Sequence, residues 1–101
     1  MNKDKILAAL ENLKGNDIIC YIYRESVFDL LSSGRVDGTL HLVSDSSVDT
    51  MKGALVKCGF TDVVNGKPGY ISARLSSQQI ELLCGDDLST DELTDIIRRD
   101  L

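Results

Sequence analysis

The spacing of apolar positions changes from segment to segment along the chain, and each change marks an element. Ile6, Leu7, Leu10 and Leu13 recur at helical intervals, and Gly15 follows as a stop. A helix is therefore predicted over residues 3–14. The next segment, "DIICYIY" at 17–23, loses that period. It is β-branched, aromatic and nearly continuous in apolar character, which predicts a central strand covered on both faces. "RESVFDLLSSG" returns to helical spacing at Val27, Leu30 and Leu31 and stops at Ser-Ser-Gly. It predicts a short helix, with a strand as the alternative. Strict alternation follows over about 38–43. Leu40 and Leu42 fall on one side of a strand, Thr39 and His41 on the other.

"SDSSVDTMKGALVKCGF" predicts an amphipathic helix. Ser46 and Asp49 resemble an N-terminal capping box, with Asp in place of Glu or Gln. Val48, Met51, Leu55 and Cys58 form its stripe, and Gly59 ends it. "TDVVNGKPGYISARL" predicts a strand, an Asn-Gly turn and a second strand, where Ile71, Ala73 and Leu75 alternate with Ser72 and Arg74. "SSQ" turns the chain into a last strand, "QIELLC". In "LSTDELTDIIRRDL", Ser89 caps a final helix and Glu92 completes the box. Leu88 and Leu93 form a staple, and Arg98 and Arg99 oppose the dipole. The fold class is α/β (α+β), one small mixed sheet with flanking helices.

One hundred and one residues make a single domain, 1–101. No apolar run approaches the roughly 18 residues that span a bilayer, and "MNKDKILAALENLK" has no secretory pattern. A cytoplasmic protein with no membrane partner is expected. Cys20, Cys58 and Cys84 are odd in number and form no Cys-x-x-Cys, so they read as free packing residues. The net charge of −5 argues against direct nucleic-acid binding, which needs clustered Lys and Arg. The acid is concentrated late. Glu81, Asp86, Asp87, Asp91, Glu92 and Asp95 meet no Lys or Arg before Arg98. Such a cluster is a solvated helix start or a docking face for a basic partner protein.

The order of elements and their turns resemble the minimal nucleotidyltransferase fold, in its small antitoxin-type and abortive-infection-type members. "ILAALENLKGNDIICYIY" is similar to the family's opening, "RESVFDLLSSGR" to its glycine turn and short helix, and "RVDGTLHLVSD" to its acid strand. "LVKCGF" is similar to its helix end and "QIELLCG" to its third-acid strand. The resemblance covers roughly residues 6–85. In that family two carboxylates two residues apart on one strand and a third from a neighbour hold two Mg²⁺ ions. A Gly-Ser turn lets backbone approach the phosphates. Carried onto this chain, the paired acids fall on Thr39 and His41, the third acid on Glu81, and the turn on Arg24-Glu25-Ser26. Two acids are missing and the turn has no glycine. A register shifted by two puts Asp37 and Thr39 at the pair instead, which recovers one carboxylate.

No other constellation is well spaced. His41 as a general base would need Ser26, Cys20 or Glu81 within reach. A metal site built from His41, Glu81 and a cysteine has no support from spacing, and no catalytic residue, metal ligand or cofactor is assigned. Tyr21, Tyr23 and Tyr70 on strands read as sheet packing, since no basic groove accompanies them. The resemblance thus implies a catalytically degenerate nucleotidyltransferase-like protein that binds another protein through the acidic C-terminal region, in an antitoxin-like, immunity or inhibitor role. It points away from an enzyme. Two rivals stand beside it. One is a small acidic inhibitor of a nucleic-acid enzyme, of the anti-CRISPR or anti-restriction kind. The other is a reduced Mg-dependent nucleotidyltransferase using Asp37 and Glu81. A third possibility concerns the fold: a ferredoxin-like or other small α/β sandwich in which "RESVFDLLSSGRVDGTLHLV" forms a hairpin.

Overall fold

The computed structural model describes residues 1–85. The predicted last helix, and with it Asp86, Asp87, Asp91, Glu92 and Asp95, lies outside the described residues. Three helices and five strands follow in the order α1 (Lys3–Lys14), β1 (Cys20–Ile22), α2 (Glu25–Ser33), β2 (Leu40–Ser44), α3 (Val48–Lys57), β3 (Thr61–Asn65), β4 (Tyr70–Leu75) and β5 (Gln78–Cys84). The strands form one mixed sheet in the order β1-β2-β5-β4-β3. β2 and β5 are parallel and the other neighbours antiparallel. The fold is mixed α+β, as the apolar pattern predicts. No described helix is long and apolar enough to cross a membrane.

Local chemistry sets most boundaries. The Asn2 side chain accepts from the Lys5 N–H (2.9 Å) and starts α1, which buries Ile6 and Leu13. α3 starts one residue later than the capping box predicts. Ser47, not Ser46, is extended at the cap and accepts from the Thr50 N–H at 3.1 Å. Ser46 instead gives its own N–H to the Ser44 hydroxyl (3.3 Å). The predicted stripe holds, with Met51 and Leu55 buried. The helix ends as Gly59 swings to φ +85°, with the Phe60 N–H on Leu55 O (3.0 Å) and the Gly59 N–H on Val56 O (3.2 Å).

The segment at 24–34 is a helix, which removes the hairpin alternative. Its buried residue is Ser26, while Leu31 and Phe28 are 82 % and 71 % exposed. The segment at 17–23 is a correction. Its paired part is only Cys20–Ile22, at the edge of the sheet rather than its centre, and Ile19 and Tyr21 are exposed. A continuous apolar run reports hydrophobic composition and fixes neither burial nor how many neighbours pair with it. The β3–β4 loop is longer than the Asn-Gly signal implies. Its tight turn is Lys67-Pro68-Gly69-Tyr70, with Gly69 at φ +82° and the Tyr70 N–H on Lys67 O (2.9 Å).

One face of the sheet makes the core. Leu40, Leu42, Ile71, Ala73, Ile80 and Leu82 meet Ile6, Leu13, Met51 and Leu55 in a single buried cluster. β5 then leaves the sheet tight against the end of β2. A Cβ at Gly85 would lie 2.7 Å from the Asp45 Cα and 2.8 Å from the Ser44 carbonyl oxygen.

Candidate functional site

Alternation along β2 sends Leu40 and Leu42 into the core and His41 to the opposite face. The parallel register sets His41 beside Glu81 of β5, and the antiparallel register sets Ser72 of β4 beside Glu81. His41, Glu81 and Ser72 thus occupy one row across three strands. α2 begins next to the β2 end of that row. Ser26, in its first turn, is fully buried. Its hydroxyl accepts from the His41 N–H (2.9 Å) and donates to the Thr39 carbonyl (3.4 Å). This clasp ties the helix start to the strand.

The His41 ring is held on two sides. Its Nε2 lies 3.1 Å from a Glu25 carboxylate oxygen. Tyr23 meets it edge-on, with ring centroids 6.2 Å apart. Its Nδ1 is buried without a hydrogen-bond partner. Glu25 is itself well exposed. Its carboxyl is held below the ordinary value, first by a hydrogen bond from its own backbone N–H at the start of α2, then by the neighbouring His41 and Arg24. Arg24 Nε lies 3.8 Å from the other Glu25 oxygen, and the guanidinium carbon lies 6.0 Å from the centre of the Tyr23 ring. Burial pushes the Tyr23 hydroxyl up.

The turn that carries these groups is strained. Arg24 has φ +61° and ψ −147°, a region that is essentially reserved for glycine and costs about 1–3 kcal/mol in other residues. The chain therefore takes a glycine-type path between β1 and α2 with no glycine on it. Nothing in the residue types announces this. Tyr23 was likewise invisible as a site residue, because its packing role and its contact with His41 share one signature.

The predicted positions divide into two groups. Arg24, Glu25, Ser26, Thr39, His41 and Glu81 gather where α2 meets the middle of the sheet. Asp37 instead pairs with Arg35 at 2.7 Å on an exposed loop, and no described contact brings it to His41. A magnesium pair does not fit this donor set. Hard cations need several oxygen anions, Thr39 and His41 supply none, and Glu25 already answers His41. Among the described residues no three His, Cys, Asp or Glu side chains converge as metal ligands. Nucleophilic catalysis has no better footing. The Ser26 hydroxyl is committed to the β2 backbone, and burial pushes the Cys20 thiol up to about 12, far from thiolate formation at neutral pH. The cluster can orient side chains and bind. It has no activated nucleophile.

No protein-family model and no curated protein sequence matches the chain.

Proposed function

We propose that this protein is a nucleotidyltransferase-like domain that has given up nucleotide chemistry and works by binding another protein, in an antitoxin-like, immunity or inhibitor role. One observation carries the reading. Arg24 follows the backbone path of a glycine turn into a helix start, and the Glu25 carboxylate sits on that helix start. In a phosphate-binding turn the same place takes the ligand's anionic oxygens. Here the chain's own carboxylate takes it, held by His41 at 3.1 Å. A bound triphosphate would have to displace Glu25 and would meet no metal-binding acids at Thr39 and His41. The order of strands supports the reading as well, since the positions that resemble the second and third acids, His41 and Glu81, are direct neighbours.

The test is the melting temperature of the full chain with millimolar nucleoside triphosphates plus Mg²⁺ or Mn²⁺. A ligand that binds only the folded state at a hundredfold excess over its Kd stabilises it by about 2.7 kcal/mol. No shift with any nucleotide is expected. A clear metal-dependent shift overturns the proposal and favours a reduced nucleotidyltransferase.

A further inference from the structure

The two faces of the sheet are filled differently. α1 and α3 pack on the first face, where Ile6, Leu13, Met51 and Leu55 meet the strands. α2 meets the second face at its first turn, where Glu25 reaches His41. Two residues further along β2, the registers build another row on that face. Tyr21 stands opposite Val43, Val43 beside Leu83, and Leu83 opposite Tyr70. This row is apolar or aromatic across four strands, whereas the row of His41, Glu81 and Ser72 is polar. Its centre is closed. Val43 is 0 % exposed, yet it stands outside the core cluster that α1 and α3 make with the sheet. Val43 and Leu83 belong to the parallel pair β2 and β5 inside the sheet, and parallel strands are ordinarily covered on both faces.

The chain leaves the sheet beside this row. Cys84 lies next to Ser44 at the ends of β5 and β2, and Gly85 is pressed against Asp45. Residues 86–101 continue from there. On the helix that the sequence predicts from Ser89, Leu93, Ile96 and Ile97 share one side, and Asp91 and Asp95 fall on the other. At about 1.5 Å per residue, 89–101 spans about 20 Å. The 7 residues of β5 run about 23 Å at about 3.3 Å each. We infer that this segment turns back after Gly85 and lies along the second face, with Leu93, Ile96 and Ile97 on Val43 and Leu83. The charges fit this orientation. The face already carries Glu81 and Glu25, and docking through the apolar side holds Asp91 and Asp95 away from both. The segment's later turns pass over Glu81, so a ligand approaching the His41–Glu81 row must first lift it. The inference rests on the two faces of the sheet and not on the nucleotidyltransferase reading.

Methyl NMR of the full chain, labelled at Ile, Leu and Val, tests it. Cross-peaks are expected from Ile96 or Ile97 to Val43 and Leu83. A mixture of differently labelled molecules should show none of them, because the contact lies within one chain. Ile97→Asp should remove the cross-peaks and raise the fluorescence of an apolar dye several-fold as the row is uncovered, while the methyl shifts of Ile71 and Leu82 in the core stay in place. Asp91→Asn should change neither readout. Random-coil shifts throughout 89–101 overturn the inference. So do cross-peaks that appear only between differently labelled molecules, which would make a second copy the occupant.

Discussion

α2 and α3 each begin just after a strand, and they begin in different ways. α3 opens with an ordinary cap. Ser47 is extended at φ −67° and ψ 157°, and its hydroxyl accepts an N–H three residues on. Everything needed lies within one turn of chain. α2 opens on Arg24 in a glycine conformation with no side-chain cap. It is held from a distance, by Ser26 on the backbone of β2 and by Glu25 on His41. A start secured by its own sequence can be strain-free. A start secured by tertiary contacts can carry strain, because the surroundings over-determine it, and this happens where a site dictates the path.

The largest effect on that contrast should come from Ser26→Ala. It leaves the His41 N–H and the Thr39 carbonyl without their shared partner, and should cost about 1–3 kcal/mol in urea unfolding. A neutral Ser26→Ala would mean that α2 does not depend on β2 at all. Next comes a matched pair of substitutions at the two helix starts. Ser47→Ala should destabilise by about 1 kcal/mol. Arg24→Gly should move the other way. It relieves about 1–3 kcal/mol of backbone strain against the roughly 0.5–1 kcal/mol entropic cost of glycine and the small loss of the solvent-exposed Arg24 contacts with Glu25 and Tyr23. Loss of stability in both would erase the distinction between the two starts. The smallest effect is Glu25→Gln. Because the Glu25 carboxyl is lowered in the fold, its contribution is full above the ordinary glutamate value of 4.5 and fades as pH falls through its lower folded value. With a side chain 62 % exposed, the contribution is roughly 0.2–0.5 kcal/mol after screening. The stability gap between wild type and Glu25→Gln should be present at pH 7 and close in acid. The gap for Ser47→Ala should persist there, since a hydroxyl does not titrate in that range.

The sequence made the locally determined parts legible. The bounds of α1, the Met51–Leu55 face of α3 and the alternation through Ile71, Ala73, Ile80 and Leu82 follow from period and burial alone. The errors lie where tertiary pairing decides. β1 has an interior strand's composition in an edge position, because residue type encodes hydrophobicity and not the number of neighbours. The apolar spacing of α2 points to Val27, Leu30 and Leu31; Leu30 does pack against the core, but Leu31 is exposed and the fully buried residue is Ser26, because hydrogen bonds tie the first turn to β2. At the site, the alternation in 39–43 correctly separated His41 from the core. The partnership of Glu25 with His41 bridges sixteen positions of sequence and leaves no periodic trace. Strain at Arg24 is invisible for the same reason: only a glycine would have advertised it.

Gly85 offers a different kind of handle on this chain. Any Cβ there would strike the backbone at Ser44 and Asp45, so the restriction comes from the crossing of two main chains and not from chemistry at the site. Relatives whose side chains have drifted past recognition would still have to keep that crossing if they keep the parallel β2–β5 pairing. A glycine four positions after the residue that stands beside His41 is therefore a geometric signature by which distant members of this architecture can be sought.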